Sequence, residues 1–572
     1  MIEKFVNREK FESYEDFKEN LKYTVPEKFN FAYDVIDEWA KVDPTKVALL
    51  WCNDFDDEVR LDWQALSRMS DQYALLFQRQ GLKKGDVALL MLKRRWQFWP
   101  LILGLMKLGL SFIPATVQLT AKDIIYRCNA SSASVIVSIS DKEVVDFIDA
   151  AMPECPTVRK KMIVFPEQNA MAMNISDPDH YYSVLPKGWI DLNHELASCK
   201  GVWQKPQGED LAYGDDCMIL YFTSGTTGMP KMVYHDFTHP IGHIVTAHYW
   251  QQLTYDDVHI SVSDTGWAKC GWGKIYGQWI VGVTNFVYDM EKFVPNLLLE
   301  KVSGYHVTTF CAPPTVYRFM IHEDVKAFDL SSLRGCFTAG EPLQPEVYNK
   351  WKQLTGLPII EGFGQTESTV LAANFEWIEQ KPGSMGKPSP IYDIDIIDEE
   401  GNSCPVGTEG NIVIRGIDDK WPTGLFKCYY RDEEATKRCM HDNYYNTGDV
   451  AWKDEDGYYW FVGRSDDVIK CSGYRIGPFE VESALQTHPC VLECAVTAFP
   501  DPDRGQVVKA SIVLARGYVP SDDLVKELQN HVKHTTAPYK YPRIIEFLDE
   551  LPKTVSGKIK RMDIRNGKTS QQ

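Results

Sequence analysis

Fourteen cysteines are scattered through the 572 residues without a single C-x-x-C pair. The nearest two, Cys490 and Cys494, have no second pair to complete a zinc knuckle, so reduced thiols of a cytosolic protein are expected. A long hydrophobic run is also missing. The most apolar window, residues 98–115, is short and broken by Lys107, which suits a buried helix and strand rather than a membrane span. Positive charge is scarce: 61 Lys and Arg stand against 79 Asp and Glu, a formal charge of -18. That balance excludes a non-specific nucleic-acid binder and requires any anionic ligand to be met by local basic groups. No internal repeat or low-complexity tract is present. Residues 1–17 mix acidic and basic side chains with neither an apolar signal core nor an acid-poor transit composition, so a cytoplasmic protein is expected.

What the chain does have is a turn dense in hydroxyls, glycine and one cation: Thr223-Ser224-Gly225-Thr226-Thr227-Gly228-Met229-Pro230-Lys231. Glycine lets successive backbone N–H groups converge on an anion, Ser and Thr add donors, and lysine supplies a mobile charge, so the turn reads as a phosphate loop. It is not a Walker A loop, because two residues rather than four separate Gly225 from Gly228 and Pro230 precedes Lys231. The apolar run Cys217 to Phe222 before it predicts a buried strand, and Met232 to Tyr234 predicts another after it.

From about Lys84 onward, strand-like runs alternate with helical patterns: a strand over 87–92, a helix over 99–108, a helix over 123–129 and a strand over 134–138. After a loop-rich stretch over 166–216, the alternation resumes with strands over 307–312 and 335–338 around a helix over 315–322. This is the pattern of an α/β fold. Past Gly463, Arg464-Ser465-Asp466-Asp467 interrupts the apolar pattern, and a small α+β unit follows, with a helix opened by Pro478, a strand over 507–514 and an amphipathic helix over 524–533. Two domains are expected, a large one over 1–465 and a small one over 466–572. A domain that small more plausibly closes over a site on the larger one than carries a complete enzyme.

Five further clusters follow the phosphate loop: Ala339-Gly340-Glu341-Pro342, Glu361-Gly362-Phe363-Gly364-Gln365-Thr366-Glu367, Tyr445-Asn446-Thr447-Gly448-Asp449, Gly463-Arg464-Ser465-Asp466, and Ser556-Gly557-Lys558-Ile559-Lys560-Arg561. In this order and spacing they resemble the adenylate-forming superfamily, from about Phe31 to Arg561. Ser263-Asp264-Thr265-Gly266-Trp267, Ser472-Gly473-Tyr474-Arg475-Ile476-Gly477-Pro478, the stretch from Thr536 to Pro542 and the stretch from Leu551 to Lys558 make the likeness greatest to the medium-chain acyl-CoA synthetases. The animal members of that group carry a mitochondrial presequence that residues 1–17 do not resemble, so their compartment is not carried over.

The resemblance implies two half-reactions. A carboxylate attacks the α-phosphate of ATP to give acyl-AMP and pyrophosphate, and the thiol of coenzyme A then takes the acyl group. Carboxylate and triphosphate repel, so the first step needs cation density and positioning more than a protein nucleophile. The resemblance assigns the β- and γ-phosphates to the loop Thr223 to Lys231, Mg²⁺ to Glu367 and the α-phosphate to Thr366. Gly340, Glu341 and Pro342 match the adenine turn, Glu361, Gly362, Phe363, Gly364 and Gln365 border the nucleotide, and Asp449 and Arg464 match the ribose residues. Lys558 matches the lysine that acts in adenylation, and Asp466 the hinge about which the small domain turns. Coenzyme A falls to Gln118, Ser472, Gly473, Tyr474, Arg475, Arg504, Tyr539, Lys540 and Tyr541. Trp267 and Lys269 match the acyl-pocket region. In acetate-specific relatives a tryptophan stands at the position matching Gly364 and closes that pocket, so Gly364 implies open volume and a medium or branched acid; the alternative is that the glycine only permits close backbone approach to the nucleotide and other side chains close the pocket.

Taken singly, Asp449 reads as a turn residue and Glu367 as a solvated acid; only the ordered set gives them these roles. The Trp-rich stretch 267–272 reads either as core packing or as the lining of the acyl tunnel. A carrier-protein adenylase and a silent adenylate-binding protein are the alternatives. Arg475, Arg504 and Tyr539 to Tyr541 favour free coenzyme A, and the presence of Lys558, Glu367 and Asp449 argues against silence. His235, His239 and His243 recur every four residues, but Pro240 interrupts them and a helix-borne zinc site also wants a carboxylate or a third placed ligand, so a zinc site is not expected. The partners expected are small molecules, and the sequence leaves a homo-oligomer open.

Overall fold

The computed structural model describes residues 1–176, 180–223, 229–471, 474–502, 504–553 and 559–567, with side chains for all but 173–176 and 475. Among these residues, two large sheets form the body of the α/β fold. In the eight-stranded sheet the spatial order is Cys428–Tyr429, Lys231–Asp236, Cys217–Thr223, Ser111–Pro114, Val87–Met91, Val135–Ile139, Lys160–Val164 and Ile190–Asp191. Its central strand Val87–Met91 is buried at every residue and paired in parallel on both edges, which is why it reads as an unbroken apolar run. The nine-stranded sheet runs from Lys387–Pro388 through Val370–Ala373, Ile359–Gly364, Gly335–Thr338, Thr309–Cys311, Val258–Ser261, Thr284–Asp289 and Val47–Asn53 to Glu58–Asp62. Strand order reverses at Val258–Ser261, and ligands of such sheets bind beyond the carboxyl ends of strands near a reversal.

The helix Phe98–Leu108 is buried along its whole length, Lys107 included. Lys107 Nζ meets Asp37 at 2.7 Å and Asp71 at 2.6 Å, so the charge that interrupts the apolar window is compensated inside the core rather than exposed. Gly104 lets this helix approach Trp63–Arg79, where a Cβ would lie 2.5 Å from Tyr73 Cβ. The stretch expected to be loop-rich, 166–216, holds the helices Gln168–Ser176 and Leu192–Ser198 and the edge strand Ile190–Asp191. Asp191 starts the second of these helices by accepting a bond from His194 N at 3.0 Å, a cap that leaves no long periodic pattern in the sequence.

A third sheet, Asp393–Ile397, Gly410–Arg415, Tyr444–Lys453 and Met440–His441, carries Tyr459–Arg464 on Tyr444–Lys453. A fourth, from Ile469 onward, orders Tyr474–Ile476, Ile469–Cys471, Gly505–Leu514 and Val491–Asp501, with Ile544–Phe547 on Gly505–Leu514. The helices Pro478–Gln486 and Asp522–Thr535 cover it. Leu524, Leu528 and Val532 form the buried stripe of the second, and Ser521 caps it. Arg561 Nη2 reaches Glu482 at 2.7 Å and Arg565 pairs with Asp467, tying the last described helix to residues 467 and 482. No described helix is long and apolar enough to cross a membrane.

Candidate active site

The strand Ile359–Gly364 ends in the turn 365–369, and Gln365 fastens that turn to the third sheet. Its Oε1 accepts from Tyr445 Oη at 2.8 Å, while its Nε2 donates to Thr447 O at 2.8 Å and to an Asp449 carboxylate oxygen. Asp449 and Arg464 are partners across the strand ladder. Arg464 Nη1 donates to Thr447 O at 2.9 Å and to Asp449 Oδ1 at 3.3 Å. Burial disfavours the guanidinium charge, but Asp449, Asp466 and Glu367 outweigh it and raise the Arg464 pKa further. Gly448 sits at φ +70°, where a Cβ would meet Arg464 Nη2 at 2.8 Å, so glycine is what lets the guanidinium lie over this turn.

Glu367 is linked through Tyr429 to a flank of the candidate phosphate loop. Tyr429 Oη donates to Glu367 Oε1 at 2.8 Å, and Lys231 Nζ stands 4.6 Å from the centre of the Tyr429 ring. Thr223 and Lys231 face each other at the end of the hairpin, so the phosphate-loop flanks and Glu367 share one corner. Ser224 to Gly228 lie outside the described residues. Burial raises the Glu367 pKa, with Tyr429 opposing, so this carboxyl sits where a cation would relieve its desolvation. Among the described residues no group of three or more His, Cys, Asp or Glu is placed to hold a metal ion. A hard cation held by one carboxylate, phosphate oxygens and water fits such a corner; a protein cage does not.

Among the adenine candidates, Gly340 adopts φ +100° and Glu341 Oε2 accepts from Thr315 Oγ1 at 2.9 Å. Glu361 is buried, accepts from Leu343 N at 3.3 Å, and keeps one carboxyl oxygen unpartnered. Burial pushes its pKa up to about 8. Gly362 lies against Trp250, where a Cβ would stand 2.5 Å from Cε2, so the backbone runs flat over the indole.

Lys269 Nζ donates to Ala339 O at 2.7 Å, joining the acyl-pocket candidates to the adenine turn. The volume beside Gly364 is not open, contrary to what the resemblance implied. A Cβ there would lie 2.1 Å from Trp272 Cη2 and 2.5 Å from Thr369 O, so an indole from the helix Ala268–Lys274 already fills the space. Gly266 abuts Thr116, and Gln118, two residues further along, is exposed.

The remaining coenzyme candidates sit on the fourth sheet and its surroundings. The Tyr474 and Tyr539 rings stack at 4.2 Å with both side chains exposed. Lys540 Nζ pairs with Glu480 at 2.5 Å, and Tyr541 is flanked by Lys533 and Arg543. Arg504 is exposed, with its N–H donating to Asp501 Oδ1 at 2.9 Å. Ser472, Gly473 and Lys558 lie outside the described residues, as does the side chain of Arg475. Tyr429 belongs to none of the motifs and reaches Glu367 from 62 residues away. Tyr445 opens one of the clusters without a role of its own there, and it meets Gln365 across 80 residues.

The AMP-binding enzyme profile matches residues 36–430, and that of the AMP-binding enzyme C-terminal domain matches 480–558. The chain belongs to the AMP-binding enzyme family. Within this family it is 41% identical to human acyl-coenzyme A synthetase ACSM3, mitochondrial, over 568 residues, covering 97% of this chain and 92% of the relative. It is 44% identical to mouse acyl-coenzyme A synthetase ACSM4, mitochondrial, over 552 residues, covering 95% and 91%. The solved anthranilate CoA ligase AuaEII in complex with anthranoyl-AMP superposes with a TM-score of 0.83 at 27% identity, covering 95% of this chain and 98% of that one. The acyl-CoA synthetase of Brucella canis does so at 0.69 and 29%, covering 95% and 94%. This family member is thus an acid–thiol ligase of the acyl-CoA synthetase type, with ATP and coenzyme A as its co-substrates. The expectation of a cytoplasmic protein is overturned: these relatives are named as mitochondrial. Composition over residues 1–17 does not decide the compartment, because an acid-poor leader is only one signature of import.

Proposed function

We propose that the chain joins a medium-chain or branched carboxylic acid to coenzyme A through an acyl-adenylate formed with ATP and Mg²⁺, as a step of fatty-acid metabolism. The observation that carries this reading is the Gln365 staple, which holds the 365–369 turn against Asp449 and Arg464 while Tyr429 fixes Glu367 beside Lys231. Ribose and phosphate candidates are thereby presented from one frame.

In the first half-reaction, Lys231 with the loop Thr223 to Gly228 binds the β- and γ-phosphates, Thr366 donates to the α-phosphate, and Glu367 holds Mg²⁺. The cation supplies charge neutralisation at the phosphates. Asp449 accepts from the ribose hydroxyls and Arg464 orients it. Gly340, Glu341 and Pro342 border adenine on one edge, with Glu361 to Gly364 on the other. Lys558 neutralises charge at the α-phosphate as the carboxylate attacks. Trp267, Lys269 and Gly364 border the acyl group, and the Trp272 ring supports an assignment of pocket depth to that side chain. In the second half-reaction the domain from 466 turns about Asp466, and Gln118, Ser472 to Arg475, Arg504 and Tyr539 to Tyr541 receive coenzyme A. Stacked Tyr474 and Tyr539 suit an adenine face, and Arg504 and Lys540 suit its phosphates.

Pyrophosphate release from ATP, measured with acids of two to twelve carbons, tests the proposal. Release that depends on a medium or branched acid supports it; release with no acid, or with acetate alone, contradicts the substrate assignment.

A further inference from the structure

The three histidines spaced by four form one connected cluster in the fold. Pro240 does not interrupt them: it lies in the first turn of the helix His239–Ile244, where its missing N–H costs nothing. His239 and His243 therefore share a helix face, while His235 projects from the neighbouring strand Lys231–Asp236. All three are buried. The His235 and His239 rings stack at 3.7 Å, and His243 Nε2 approaches His239 Nε2 at 3.1 Å.

The hydrogen-bond partners dictate the tautomers. Carbonyl oxygens only accept, so His235 donates from Nε2 to Thr366 O at 2.7 Å, and His239 donates from Nδ1 to Gly424 O at 3.1 Å. Burial drives the pKa of His235 down to about 4 and those of His239 and His243 well below the ordinary range, so each ring carries one proton. His239 Nε2 is then an acceptor and His243 Nε2 its donor. That leaves His243 Nδ1 to accept from Thr246 Oγ1 at 3.0 Å. Donors thus run in one direction, from Thr246 through His243 and His239 to Gly424, beside the separate bond from His235 to Thr366.

Two members of the column, His235 and His239, reach the same turn. His235 holds the Thr366 carbonyl directly. Two residues beyond Gly424, Phe426 N donates to the carbonyl of Glu367 at 2.8 Å, so His239 anchors the segment that holds the next carbonyl. We propose that His235, His239 and His243 form a positioning column that presets the Thr366–Glu367 turn for acyl-adenylate formation. The inference rests on the roles assigned above to Thr366 and Glu367.

His235→Leu removes the donor, whereas His235→Gln keeps an N–H at nearly the same reach. In His235→Leu, kcat for acid-dependent pyrophosphate release should fall about a hundredfold while KM for ATP changes little, as misplacement of a reacting group costs on that order. Thioester formation from supplied acyl-AMP and coenzyme A should persist, and His235→Gln should regain most of the lost rate. Equal loss in the two variants, or parallel loss of both half-reactions, overturns the proposal. Should His235→Leu fail to fold, nitrogen-15 spectra of the wild-type histidine rings decide: the column requires Nε2–H on His235, Nδ1–H on His239 and Nε2–H on His243, and any other pattern refutes it. Wild-type protein that releases no pyrophosphate with any acid would instead defeat the functional reading, leaving the tautomer test to judge the column alone.

Discussion

The two ends of this enzyme are built in opposite ways. In the large region, the candidate nucleotide residues are interlocked by short bonds among partly buried groups: Gln365 to Thr447, Asp449 and Tyr445, Arg464 to Asp449, and Tyr429 to Glu367. In the small region, the coenzyme candidates Tyr474, Tyr539 and Arg504 are exposed, with Tyr474 stacked on Tyr539, and Lys540 is held by Glu480. Adenylation brings anions together and profits from groups that need no reorganisation, whereas an exposed surface suits a ligand that docks after a domain has moved. The contrast predicts separable half-reactions.

The hardest break of that contrast is Lys558→Ala. Adenylation should fall by about two to three orders of magnitude, the typical cost of one lost transition-state donor, while supplied acyl-AMP still passes to coenzyme A. Equal loss in the two assays would remove Lys558 from the role assigned. Asp466→Pro fixes φ and deletes an N–H at the proposed hinge, so one half-reaction should fail and the other survive. Normal rates for both would place the pivot elsewhere.

A smaller effect is expected on the acyl side. Trp272→Ala vacates the space beside Gly364, and each methylene that enters gains about 0.8 kcal/mol, roughly fourfold in affinity. Turnover of long acids should rise relative to propionate; a uniform loss over all chain lengths would mean that Trp272 only supports the turn. Tyr429→Phe removes one donor from Glu367 and should raise the Mg²⁺ concentration needed for half-maximal rate by about tenfold, a shift that one charge-assisted bond can account for. No change in the Mg²⁺ requirement would separate Glu367 from the metal.

The smallest effect is on stability. Glu361 has a folded pKa of about 8, above the ordinary carboxylate value, because of burial. The folded state therefore binds the proton more tightly, and the associated stability, complete below the ordinary range, disappears as pH rises through about 8. Glu361→Gln should match wild type in melting temperature under mildly acidic conditions and exceed it in alkali. A difference that does not vary with pH would mean that the carboxyl is not protonated in the fold.

Much of the architecture was legible because buried parallel strands such as Val87–Met91 leave unbroken apolar runs and the βα alternation repeats. The motif residues Gln365, Thr366, Glu367, Asp449 and Arg464 were legible from order and spacing, and the structure brings Gln365, Asp449 and Arg464 into direct contact. What stayed hidden depends on contacts between distant segments. Trp272 fills the volume beside Gly364 from a helix more than ninety residues earlier, and local pattern cannot report which indole faces which glycine. Lys107 looked like an interruption because its two carboxylate partners lie on other helices. Pro240 looked like a helix breaker because its meaning depends on its place in the first turn.

Isotope exchange of labelled pyrophosphate into ATP, run with acid but without coenzyme A, tests the account most directly. A prearranged adenylation site predicts exchange that requires the acid and proceeds in the absence of coenzyme A; exchange that appears only when coenzyme A is added would contradict it.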